Sequence, residues 1–226
     1  MVRGAKRDSH GVNRSPMKVS RPVLFATLLT AVAGLLDAAA YIELNHLFVS
    51  FMSGNSTHLG MVLAKGTASD IPAVVVIIVA FVARASGGTW IADNAPRRQA
   101  ASVLDAEILL LLVAIVLALL NYERLALALA ATAMGMQNAL HQVVSGADVG
   151  KTFVTGALFN LGQSIARDFR DGGVGRASSS LLSWLVFVGG ATQGTLMLRW
   201  MRLPSCLIAA AVVIAATSAA LSKGLL

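Results

Sequence analysis

A chain of 226 residues with 56% hydrophobic and only 13% charged residues lacks the polar surface of a water-exposed globule, which carries about 25% charged residues. Its mean hydropathy of +0.73 points instead to an all-α integral membrane protein. The net charge of +7 gathers in the N-terminal tail and the loops, as topology signals do, so it calls for no nucleic-acid partner.

Residues 1–22 hold Arg3, Lys6, Arg7, Arg14, Lys18 and Arg21 against Asp8 alone. They read as a disordered basic tail on the cytoplasmic side. A basic start before an apolar run also has the form of a signal peptide, with Ala38-Ala39-Ala40 as the cleavage site. The length of the run, and the partners its polar residues find later in the chain, speak against it. Apolar runs follow at 23–42, 47–64, 71–91, 103–120, 124–144, 153–166, 181–200 and 206–221. A helix of roughly 20 residues reaches about 30 Å, enough to cross a hydrocarbon core. A tight Asn-Tyr-Glu turn separates the fourth run from the fifth, and Cys206, the single cysteine, is a small apolar residue at the start of the last.

The runs repeat. Phe51, Gly54, Leu59 and Gly60 align with Phe153, Gly156, Leu161 and Gly162 at one spacing. At nearly the same spacing Gly34-Leu35-Leu36-Asp37-Ala38 aligns with Gly135-Met136-Gln137-Asn138-Ala139. One transmembrane domain, 23–222, is therefore expected to consist of repeats 23–121 and 124–222. The polar centres Ser53-Gly54-Asn55-Ser56-Thr57-His58 and Thr155-Gly156 are expected to break their helices and expose backbone groups near the midplane. If segments 47–65 and 153–166 dip in and return, the fold has about six transmembrane helices plus two short broken or re-entrant helices, with inverted halves. If they cross, it has eight full spans and parallel halves. A cytoplasmic Arg97-Arg98 pair favours the first.

Asp37 is the sharpest single residue. A carboxylate at the centre of a span costs roughly 2.5–3.5 kcal/mol, whereas each Leu, Ile, Val or Phe returns about 0.3–0.6. It must face the bundle interior, as a proton, cation or solute contact, or as a structural hydrogen-bond acceptor. Gly34 and Tyr41 share its face. Tyr41 either holds the carboxylate through its hydroxyl or anchors the interface. Asn138, the counterpart of Asp37, has Gln137, His141 and Gln142 close by, a set suited to a polar ligand or to interhelical hydrogen bonds. Arg84, inside the third run, needs a partner or a route to the interface, and Asp37 is one charge partner it can reach. The expected solute- or ion-binding set is Asp37, Tyr41, Ser53, Gly54, Asn55, Asn138, Thr155 and Gly156. Asn160, aligned with His58, joins the same cavity.

Four motifs occur in order: Gly34-x-x-Asp37-Ala38-x-x-Tyr41, Phe51-Met52-Ser53-Gly54-Asn55, Met134-Gly135-Met136-Gln137-Asn138-Ala139 and Thr152-Phe153-Val154-Thr155-Gly156. In these the chain resembles the YoaK-type family of bacterial inner-membrane proteins of unknown function, over about residues 22–222. Ser53 stands where that family more often shows threonine. The resemblance implies a multi-pass inner-membrane protein, usually described as six-spanning, and supplies no activity.

No Walker loop, GxSxG elbow or HExxH occurs, and His10, His46, His58 and His141 lack metal-ligand spacing. No cofactor or metal is expected. The expected function is a secondary transporter or permease for a small polar solute, with proton coupling through Asp37 as an option. A membrane-embedded enzyme and a non-transporting scaffold are the alternatives. The expected partners are the lipid bilayer and an unidentified solute; composition and spacing set no oligomeric state.

Overall fold

A computed structural model describes residues 21–94, 99–145, 154–171 and 175–223. The basic tail to residue 20, the Arg97-Arg98 pair and Thr152-Phe153 lie outside them. The described residues form helices joined by turns: α1 (Arg21–Glu43), α2 (Met52–Lys65), α3 (Ile71–Asn94), α4 (Gln99–Leu119), α5 (Glu123–Ser145), α6 (Val154–Asp171) and α7 (Gly175–Ser222).

Four stretches among the described residues are long and apolar enough to cross a membrane: Leu24–Glu43, Ile71–Ile91, Ala100–Leu119 and Ser178–Ser222. Large apolar side chains cover much of their outer faces as well as their inner ones. On α4, Leu104, Leu111 and Ala114 are buried while Leu109, Leu112 and Val116 are exposed. A helix that is apolar all round in this way belongs in lipid or in a large core. Helix α5 has the length of a span, 23 residues, but falls short on apolarity because Gln137, Asn138, His141 and Gln142 crowd its last turns.

The 45 residues of Ser178–Ser222 would reach about 68 Å unbroken, roughly twice a hydrocarbon core. The helix does not run unbroken. Arg202 has φ 64° and ψ 169°, and Pro204 lies just beyond it. Pro204 supplies no N–H, and its ring would meet the carbonyl of Trp200 in a continued helix. The Ser205 hydroxyl donates to the Arg202 carbonyl at 2.7 Å, and Arg202 donates to Asn121 Oδ1 at 3.0 Å. The break in α7 is thereby tied to the α4–α5 turn. There Asn121 adopts a left-handed φ of 64°, and Tyr122 N–H closes onto the Leu117 carbonyl at 2.8 Å. The turn expected at Asn-Tyr-Glu is this one.

Helix α1 packs on α7, and α5 packs on both α3 and α4; α6 lies against α7 and α2 against α3. Glycine sets the approach in two of these pairs. A Cβ on Gly34 would collide with the Phe187 carbonyl, and one on Gly190 with the Ala31 carbonyl. A Cβ on Gly135 would lie 2.7 Å from the Phe81 carbonyl, and one on Gly88 3.0 Å from Met136 Cα. Gly34 and Gly135, aligned in the sequence, thus each seat a helix against another helix's backbone. Leu29, Leu36, Leu104, Leu111, Leu127, Met134, Leu207 and Ile214 fill the space between the pairs.

The structure corrects one expectation. Ser53-Gly54-Asn55-Ser56-Thr57-His58 does not break a helix: it lies inside α2, and Thr155-Gly156 lies inside α6. The interruption falls earlier, at residues 44–51. The reason is local hydrogen bonding. The Ser56 hydroxyl donates to the Met52 carbonyl at 2.8 Å, and that of Thr57 to the Ser53 carbonyl at 3.0 Å. Hydroxyls bonded to the i−4 carbonyl fit within a helix. Helix α2 is nonetheless short. Its 14 residues reach about 21 Å, less than the roughly 30 Å of hydrocarbon. It ends at Gly66, whose φ of 68° forms a left-handed cap.

Candidate functional site

The chain between α1 and α2 is irregular backbone next to apolar helices, so its N–H and C=O groups need partners from within the protein. Asp37 and Asn55 supply them. The Asp37 carboxylate is buried, and its Oδ1 accepts from Val49 N–H at 2.9 Å and from Ser50 N–H at 2.6 Å. Its Oδ2 accepts from the Ser50 hydroxyl at 2.6 Å. Charge-assisted bonds of this kind are about twice as strong as neutral ones. Asn55, fully buried, acts like a strand partner. Its Oδ1 accepts from Phe48 N–H at 2.9 Å, and its Nδ2 donates to the Phe48 carbonyl at 2.7 Å. Asn45 and His46 begin the loop with left-handed φ of 52° and 71°. His46 N–H then returns to the Tyr41 carbonyl at 3.0 Å.

Aromatic rings cover this latch. Tyr41 lies 4.8 Å from the His46 ring and 5.1 Å from Phe48, which in turn meets Phe51 edge-on at 5.2 Å. Gly54 leaves the space these rings occupy: a Cβ there would collide with the Phe51 ring and lie 3.0 Å from Phe48. Tyr41 therefore packs on the loop, and the bonds to Asp37 come from Val49 and Ser50.

The structure brings Asp37, Tyr41, Gly54 and Asn55 around one loop. Ser53 is exposed on α2. Thr155, exposed, and Gly156 belong to α6, which packs against α7. Asn138 lies on α5, and its side chain, like those of Gln137, His141 and Gln142, is outside the described set. Arg84 is exposed on α3, with its Cβ beside Gly135, while Asp37 is bonded to the loop.

Two residues were missed by sequence reasoning. Ser50 makes two of the three bonds to Asp37, and only its place directly before the Phe51-Met52-Ser53-Gly54-Asn55 motif could have marked it. Glu107 is fully buried on α4, on the inner face with Leu104 and Leu111. The reasoning that singled out Asp37 applies equally to an acid at that depth in an apolar run. Asp105 is exposed and accepts from the Ser218 hydroxyl at 2.9 Å.

The latched loop forms one wall of a cleft of about 440 Å³ where α1 ends and α3 and α5 begin. Leu47, Val74 and Ile77 give it a buried apolar floor. Glu43, His58, Asp70 and Arg124 line it as well. A size of this order suits a small-molecule site. Among the described residues no cluster of His, Cys, Asp and Glu could hold a metal ion.

A family model described as a protein of unknown function (DUF1275) matches residues 25–220. The UPF0700 transmembrane protein RA0705 of Rhizobium meliloti (strain 1021) is 28% identical over 171 residues, covering 76% of this chain and 73% of its own length. No solved structure matches the chain significantly.

Proposed function

The chain belongs to the DUF1275 family of proteins of unknown function, and we propose that it is a secondary transporter for a small polar solute, coupled to protons. The observation that carries this reading is the burial of two carboxylates, Asp37 and Glu107, within the long apolar helices α1 and α4. Ionisable groups inside a membrane bundle are costly and mark ion and solute paths. The cleft beside the Asp37 latch gives a solute an entry at one end of the bundle.

The finer architecture belongs to the same proposal. We read the chain as a YoaK-type protein of the bacterial inner membrane with its N-terminus in the cytoplasm. Its halves form inverted repeats, with α2 and α6 as the short elements and the break at Arg202 dividing α7 into two spans. The paired glycine contacts of α1 with α7 and of α5 with α3 support that symmetry.

A solute uptake screen in proteoliposomes with an imposed pH gradient tests the function. The expected result is accumulation of at least one polar solute that stops when the gradient is collapsed. Glu107→Gln, nearly isosteric, should flatten the pH dependence of uptake. A screen without uptake by a protein that stays folded in the liposomes would remove the transport reading.

A further inference from the structure

We propose that the cleft between α1, α3 and α5 binds a zwitterionic solute with an apolar side group, of the amino-acid type; this rests on the transport reading and names its class of solute. Both signs of charge line the cleft. Glu43 is the last residue of α1, Asp70 directly precedes α3, and Arg124 is the second residue of α5. Three separate elements bring them to one opening.

Among the described residues no ion pair joins Arg124 to Glu43 or Asp70. Glu123, next to Arg124 in the chain, lies 3.7 Å from Arg202 instead. The cleft thus offers a guanidinium for a carboxylate and carboxylates for an ammonium. The N-terminal ends of α3 and α5 also meet here, and the positive end of a helix dipole favours the anionic end of a ligand. A solute with charge of one sign alone would face a like charge across the same opening. Below the charged groups the floor is apolar and buried, at Val74 and Ile77, which suits an aliphatic side group. Asp37 and Asn55 hold the wall in place through the loop, so the latch is a positioning device for this site.

The test uses the full chain in lipid nanodiscs with three probes: L-leucine, isopentylamine (leucine without its carboxylate) and 4-methylpentanoate (leucine without its amine). Leucine should bind, and each analogue should bind at least about tenfold more weakly, as expected for loss of a charged hydrogen bond. Arg124→Gln should weaken leucine to a similar degree and leave isopentylamine unchanged, while Arg124→Lys should recover part of the affinity. Glu43→Gln with Asp70→Asn should weaken leucine and leave 4-methylpentanoate unchanged. All these side chains line an open cleft, and a melting temperature for each variant confirms that it is folded. Analogues that bind as tightly as leucine overturn the proposal, as does full leucine affinity in Arg124→Gln. So does failure of leucine and every other standard amino acid to bind. Leucine binding without uptake in liposomes keeps this site and overturns the transport reading. Solute uptake at full rate in Arg124→Gln keeps transport and overturns this site.

Discussion

Asp37 and Ser50 are joined twice. The Ser50 N–H donates to one carboxylate oxygen at 2.6 Å and its hydroxyl to the other, also at 2.6 Å. With Val49 N–H on the first oxygen, the acid of α1 serves as the backbone partner of the loop that follows it. The desolvation cost of this buried carboxylate is offset because it serves the buried N–H groups of Val49 and Ser50, which would otherwise lack partners.

The latch makes a graded prediction. Asp37→Asn keeps an acceptor for the two N–H groups and should cost about 1–2 kcal/mol. Asp37→Ala strands both N–H groups and the hydroxyl and should cost about 3–5 kcal/mol. Thermal unfolding of the three proteins in one detergent checks the order. Wild-type stability of Asp37→Ala would show that the latch contributes nothing.

Asn55 should behave as a backbone surrogate. Asn55→Ala removes both bonds to Phe48 and should destabilise by about 2–3 kcal/mol. Its effect should be local, with amide exchange at Phe48 and Val49 rising before that of α4. Exchange that stays unchanged at the loop would show that Asn55 holds nothing there.

The glycines separate by sign. Gly34→Ala and Gly190→Ala put a Cβ against a backbone carbonyl and should cost about 1–3 kcal/mol through overpacking. Gly60 has nothing within 4 Å, so Gly60→Ala should be neutral or gain about 0.5–1 kcal/mol from reduced backbone entropy. Melting temperatures decide. Equal effects at all three positions would contradict the close packing of α1 on α7.

Topology can be read at two serines. Ser69 lies before α3, and Ser102 in the first turn of α4, so the length of α3 separates them. In a Cys206→Ala background, an impermeant thiol reagent should label Ser69→Cys in intact cells. It should label Ser102→Cys only after the membrane is opened. Labelling of Ser69→Cys only in opened membranes favours eight full spans instead of the inverted repeat.

Much of the fold was legible because lipid selects on segment composition, which is local. The third apolar run, 71–91, coincides with the span Ile71–Ile91, the turn at Asn121 follows from its residues, and Asp37 had to be buried because lipid does not accept it cheaply. What a buried group bonds to depends on how the chain folds back, which composition does not record. Only the tertiary structure paired Asp37 with Val49 and Ser50, placed Gly54 under Phe48 and Phe51, and set Glu43, Asp70 and Arg124 around one cleft. It also moved the interruption from the Ser-Gly-Asn-Ser-Thr stretch to residues 44–51. Polar side chains there return to their own helix through i−4 bonds, so polarity marked the region while the geometry of the turn decided where the helix stopped.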